Sequence, residues 1–127
     1  MYLKAIAVAL LGSVTAAVTQ YAGVPLTGVI NDNVVVGVGF STVLIEDALI
    51  NGRLTFDSVN TGATITVRNT IVKAMTTNAL ELKDLTNNVV IISNLTATTP
   101  GGKGAYFSRV GSSTITVANS YFKGSTF

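Results

Sequence analysis

A short pattern that recurs four times is the feature that most restricts how this chain can fold. Each copy has a β-branched aliphatic residue, one variable residue, an Asn or Asp, and then a short strand-like run. The Asn or Asp positions lie 22, 25 and 25 residues apart, at Asp47, Asn69, Asn94 and Asn119. A period of about 20 to 50 residues is typical of solenoids, in which each repeat stacks on the next.

The residues before each Asn or Asp alternate between aliphatic and variable positions. Two and four positions before it, every copy carries Ile or Val. Side chains two apart in a strand point to the same face, so the pattern predicts two interior rows that run through all four copies. One row is Val43, Ile65, Val90 and Ile115, and the other is Ile45, Val67, Ile92 and Val117.

A second apolar pattern precedes these strands and predicts another strand in each repeat. It reads apolar, any, apolar, any, any, apolar, as in Leu54, Phe56 and Val59. Turn-forming residues separate it from the next strand at 60–62, 86–88 and 111–113. With a third strand after each Asn or Asp, we expect an all-β, single-domain parallel solenoid over residues 24–127. It would have four coils of 22–25 residues with three short strands each, and residues 98–104 would be a flexible surface loop.

The composition supports this fold class and excludes several kinds of chemistry. Only 11% of the residues are charged, well below the roughly 25% of an ordinary domain. The net charge of +2 comes without a basic cluster, so no nucleic-acid partner is expected. Cys and His are both absent, which excludes disulfides, zinc–thiolate sites and imidazole bases.

The first 23 residues differ from the rest and resemble a secretory signal. Lys4 precedes an apolar run at 5–11, and small residues surround a possible cleavage point after Ala16. The run is shorter than the about 20 residues of a membrane span, so contact with a membrane is expected only transiently, during export. If residues 1–23 are retained, they would form a first strand, a cap, or a segment that inserts into a neighbouring subunit.

Three strands per coil with an Asn at the bend resemble the right-handed parallel β-helix of the pectate-lyase-like families. The resemblance rests on residues 67–71, 92–96 and 117–121 and covers about 34–127. It implies a left-handed backbone at the bend, which Asn and Asp tolerate well. It also implies a buried ladder of amide hydrogen bonds through Asp47, Asn69, Asn94 and Asn119. Asp47 has no side-chain donor, so it would begin the ladder or be paired there.

The resemblance does not extend to enzyme activity, because no outward acidic cluster is present. Glu46 and Arg68 occupy neighbouring outward positions and are expected to form a surface ion pair. Asp57 and Asp84 lie near one turn, but no third acid joins them, so a calcium site is unsupported. We expect no catalytic residue, metal or cofactor.

Two aromatic residues near the C-terminus have the outward parity of an exposed patch. Tyr106 and Phe122 could stack on a carbohydrate or be covered by a protein neighbour. This patch supports an alternative function as a surface or tail-fibre-like carbohydrate-binding module, and a minimal polysaccharide lyase is less favoured.

The ends of the predicted solenoid suggest its main function. An open last coil and an apolar start favour head-to-tail stacking, which does not close and gives fibres. We therefore expect a structural, self-assembling subunit of an extracellular filament. The candidate interface residues are Leu3, Ile6, Val8, Leu10, Leu11, Tyr121, Phe122 and Phe127.

Overall fold

The computed structural model describes residues 18–125, and none of these is helical. They form eleven strands, which confirms the all-β prediction. The strands are β1 (Val18–Gln20), β2 (Leu26–Ile30), β3 (Asn33–Val36), β4 (Thr42–Ile50), β5 (Leu54–Asp57), β6 (Thr64–Lys73), β7 (Leu80–Thr86), β8 (Val89–Thr98), β9 (Ala105–Gly111), β10 (Thr114–Ala118) and β11 (Tyr121–Lys123).

The strands form two parallel sheets. Sheet A has the order β1-β3-β5-β7-β9, and sheet B has the order β2-β4-β6-β8-β10, with β11 also beside β8. Each strand pairs with its equivalent one coil away, so that Ile65 lies between Val43 and Val90. Because consecutive strands from β1 to β10 lie in alternate sheets, the chain winds around a common axis. This confirms the predicted parallel β-solenoid.

The number of coils differs slightly from the predicted four. Three coils, formed by β3–β4, β5–β6 and β7–β8, have paired neighbours on both sides, and one further coil, with a paired neighbour on one side only, lies at each end of the described residues. The coil of β1 and β2 escaped the sequence pattern because Thr19 and Gly28 stand at its inward positions. In the interior coils the second and third predicted strands join into one bent strand, whereas β10 and β11 remain separate.

The predicted interior rows form the centre of the core. Six of their eight members are no more than 1% exposed, and these are Val43, Ile45, Ile65, Val67, Val90 and Ile92. The apolar residues of the second sequence pattern are buried as well, and these are Leu54, Phe56, Val59, Leu80, Leu82 and Leu85.

Residues with a left-handed backbone explain the irregular spacing of apolar residues along β5, β7 and β9. Ser58, Asp84 and Arg109 stand at equivalent positions and have φ of 57°, 54° and 53°. A single left-handed residue bends the strand, so the position after it returns to the interior. Leu85 follows Asp84 and is fully buried for this reason.

Residues 98–104 pack as a stacked turn, so the prediction of a flexible surface loop is wrong. Thr99 is 4% exposed, and its hydroxyl donates to the Thr77 carbonyl at 2.7 Å. The backbone N–H of Lys103 donates to Asn78 Oδ1 at 2.8 Å. A Cβ on Gly102 would lie 2.6 Å from the carbonyl carbon of Thr77, so only glycine permits this approach of two backbones.

The solenoid includes part of the apolar N-terminal segment predicted at 1–23. β1 pairs with β3, and Tyr21 is 6% exposed. The Tyr21 hydroxyl accepts the Leu44 N–H at 3.2 Å, and its ring meets Phe40 edge-on at 5.0 Å. Residues 18–20 are therefore a first solenoid strand, while 1–17 lie outside the described residues.

Candidate functional site

The C-terminal end of the solenoid, formed by β9, β10 and β11, is the candidate functional site. β9 lies at the end of sheet A, and β10 lies at the end of sheet B. No strand within residues 18–125 pairs with the outer edge of either one. Backbone donors and acceptors on such an edge can pair with an added strand.

The inward rows become exposed in this last coil. Phe107 continues the row of Phe56 and Leu82 yet is 46% exposed, whereas the other two are fully buried. Val117 continues the row of Val67 and Ile92 and is also 46% exposed. Ile115, Val110 and Phe122 are partly buried against the core. The exposed surface is thus the cross-section of the core.

The four repeated Asn and Asp residues have the backbone conformation that the resemblance implies. Asp47, Asn69, Asn94 and Asn119 have φ of 50°, 49°, 51° and 51°. Asn94 Nδ2 donates to Asn69 Oδ1 at 2.9 Å, which is one link of the expected ladder. A continuous ladder is not confirmed, because this is the one such link found among the described residues. All four side chains are exposed rather than buried, since the bend turns them outward.

Among residues 18–125, the buried side-chain amide is that of Asn88, which the sequence pattern missed. Asn88 is 1% exposed, and its Nδ2 donates to the Asn60 carbonyl at 2.7 Å. Its Oδ1 accepts the Thr86 N–H at 3.1 Å, and its own N–H donates to Ser113 Oγ at 3.0 Å. Asn88 therefore ties three coils together at the turn between the sheets. The sequence indicates only a turn there, and it does not distinguish Asn87 from Asn88.

The expected aromatic patch is not formed as predicted. Phe122 pairs with the buried Ala97 and packs partly against the core, so its predicted outward orientation is wrong. The left-handed bend at Asn119 reverses the parity, and Tyr121 is the outward residue at 55% exposure. Tyr106 is 37% exposed but lies in sheet A, whereas Tyr121 lies in sheet B.

The ion pairs of the described residues all link one coil to the next. The expected pair of Arg68 and Glu46 is confirmed, with Nη2 and Oε1 2.7 Å apart. Arg109 binds both carboxylate oxygens of Asp84. This hydrogen bond lowers the pKa of Asp84 and raises the pKa of Arg109.

Two further ion pairs occupy the outer face of sheet A. Lys83 Nζ lies 3.9 Å from Asp57, and Arg53 Nε lies 3.7 Å from Glu81. Glu81 is 8% exposed and also accepts hydrogen bonds from Asn78 Nδ2 and Thr55 Oγ1, at 2.9 and 3.3 Å. These carboxylates are thus engaged within the protein.

Within residues 18–125, no group of three or more His, Cys, Asp or Glu residues could hold a metal ion. No helix in this part is long and apolar enough to cross a membrane.

Six of the predicted interface residues lie outside the described residues. These are Leu3, Ile6, Val8, Leu10, Leu11 and Phe127. Comparison of the chain with protein-family models, curated proteins and solved structures found no match.

Proposed function

We propose that this protein is a structural subunit of an extracellular filament and polymerises by head-to-tail stacking of solenoids. The observation that carries the proposal is the exposed core cross-section at the C-terminal end. Phe107 and Val117 are 46% exposed although they continue fully buried rows. A second copy stacked on this end would bury them as the interior coils bury their equivalents.

The inward positions at the two ends match when the coil register is extended by one layer. Tyr21 occupies the row of Phe107, since its N–H donates to the Val35 carbonyl beside Val36. Leu26 continues the row of Val117, and Ile30 continues the row of Phe122. In these three rows, an apolar side chain at one end would therefore meet an apolar side chain at the other.

Backbone pairing has to contribute to the association as well as apolar burial. Covering Phe107 and Val117 would contribute on the order of 2–3 kcal/mol. Association of two proteins costs roughly 4–15 kcal/mol in lost freedom. β9, β10 and β11 offer edges of 7, 5 and 3 residues, and each backbone hydrogen bond adds about 0.5–1.5 kcal/mol. The proposal therefore requires backbone hydrogen bonds between the edge strands of one copy and those of the next.

This contact joins two different surfaces, so it generates an open filament rather than a closed ring. Five strands of sheet A, spaced about 4.8 Å apart, would advance the filament by roughly 24 Å per copy. An extracellular location is part of the proposal and rests on the signal-like sequence of the first 23 residues.

Two neighbouring substitutions on β10 test the stacking contact. Val117→Asp places a charge on the core cross-section and should prevent sedimentation of polymers. Thr116→Asp places the same charge on the outward face of the same strand and should leave polymerisation unchanged. Circular dichroism must show that both variants fold. Equal sedimentation of the two folded variants would disprove the contact.

The apolar N-terminus is proposed to strengthen the junction between copies. Deletion of residues 1–17 keeps every described strand, whereas deletion of 1–23 also removes β1. Loss of polymers on deleting 1–17 would support a role for this segment at the junction. Unchanged polymers would restrict the junction to residues 18–127.

The carbohydrate-binding alternative has less support. It relied on Tyr106 and Phe122 together, and Phe122 faces the core. No observation on the described residues favours it over stacking.

A further inference from the structure

We infer that Lys123 of one copy and Asp32 of the next form an ion pair that fixes the direction and register of stacking. This inference rests on the head-to-tail stacking proposed above and adds an electrostatic contact to it.

The two ends of the solenoid carry opposite charge. Residues 18–52 contain three acids, Asp32, Glu46 and Asp47, and no Lys or Arg. After Asp84 the sequence contains three bases, Lys103, Arg109 and Lys123, and no Asp or Glu. Stacking the acidic end on the basic end is favourable, and the reverse contacts between like ends are repulsive.

Two of the charged residues outside the internal ion pairs, Lys123 and Asp32, lie where such a contact needs them. Of the described bases, Arg53, Arg68, Lys83 and Arg109 pair with acids of an adjacent coil. Lys123 is exposed and forms no ion pair within residues 18–125. Asp32 is half-buried and likewise has no cationic partner there. Thr19 donates to its Oδ2 at 3.0 Å, and no described residue donates to its Oδ1.

One column of the solenoid connects these two residues. Lys123 pairs with Thr98, and Thr98 pairs with Lys73. The column continues through Asn51 to Asn31, whose Oδ1 accepts a hydrogen bond from Asn51 Nδ2 at 2.8 Å. Extended across a junction, it places Lys123 directly below Asn31 of the next copy. The layer of Asn31 would lie one coil spacing, about 4.8 Å, from the layer of Lys123. Asp32 follows Asn31 in the chain and is therefore within reach of the Lys123 side chain.

A charge swap tests the pair, because every junction of a filament contains it once. Lys123→Glu should raise the critical concentration for polymerisation about three- to tenfold at low salt, since an attraction becomes a repulsion. Asp32→Lys should do the same. The double variant should return the critical concentration to near the original value. In 1 M salt the four proteins should differ little, because exposed charges are screened there.

Lys73→Glu is the matched control, since Lys73 is exposed, unpaired within the described residues and in the same column but in the interior. It should polymerise like the unmodified protein. If Lys123→Glu alone has no effect, or the double variant is no better than the singles, the ion pair is disproved while stacking stands. If the unmodified protein does not polymerise, stacking and the ion pair both fail.

Discussion

The coil of β7 and β8 and the coil of β9, β10 and β11 show what stacking contributes to this fold. The two coils have matching strand register and matching inward positions. Leu82 and Ile92 are at most 1% exposed, while their partners Phe107 and Val117 are 46% exposed. The sequence of a coil therefore does not bury its core positions by itself. A neighbour on each side does, and the last coil has one on one side only within residues 18–125.

The largest expected difference concerns apolar truncation in the two coils. Leu82→Ala should lower the free energy of unfolding by about 3–4 kcal/mol, because it opens a cavity between two neighbouring coils. Phe107→Ala should cost about 1–2 kcal/mol in the monomer, since nearly half of the side chain is already exposed. Urea unfolding of dilute protein measures both. Equal costs would mean that the last coil is as well packed as the interior.

Glycine substitutions compare backbone packing at two corners. Gly102→Ala should destabilise by about 1–3 kcal/mol, because its Cβ would meet the backbone of Thr77. Gly111→Ala lies on the last coil, where a Cβ meets nothing within 4 Å, and it should be neutral or slightly stabilising. Thermal melting checks both variants. A neutral Gly102→Ala would show that the stacked turn can separate without cost.

Two asparagines compare a buried amide with an exposed one. Asn88→Ala should cost about 2–3 kcal/mol, since it empties a buried site and removes the side-chain partners of the Asn60 carbonyl and the Thr86 N–H. Asn94→Gly keeps access to the left-handed conformation and loses one exposed hydrogen bond, so it should cost about 0.5–1 kcal/mol. If urea unfolding gives the larger cost for Asn94→Gly, the amide link at the bend matters more than the buried turn.

The smallest expected effect is the pH dependence of the ion pair between Asp84 and Arg109, which joins the coil of β7 and β8 to the last coil. The pKa of Asp84 is lowered by its hydrogen bond to Arg109. Its contribution to stability is therefore full above the ordinary Asp pKa of about 3.9 and is lost as pH falls through the lowered value. Arg109→Asn keeps a residue that tolerates positive φ. The unfolding midpoints of this variant and the unmodified protein should converge below about pH 4. A constant difference down to pH 2 would exclude the pair as its cause.

Much of the fold could be predicted because each coil repeats the same local chemistry. β-branched residues two apart defined the rows of Val43 and Ile45, and Asn or Asp marked the bends. The first coil was missed because Gly28 replaces an apolar residue at its inward position. Phe122 was assigned to the wrong face because a left-handed residue precedes its strand and shifts the parity.

The candidate site was less predictable because it depends on neighbours rather than on residue type. Phe107 has the same pattern position as the buried Phe56, so sequence alone gives both the same environment. Asn88 and Asn87 have the same side chain, and only the positions of three coils decide which one is buried.

Electron microscopy of the purified full chain, with light scattering at increasing concentration, tests the central claim most directly. Head-to-tail stacking predicts unbranched filaments with an axial repeat of roughly 24 Å per copy, which form above a critical concentration. A protein that remains a monodisperse monomer at high concentration, with its last coil exposed, would contradict the proposed assembly.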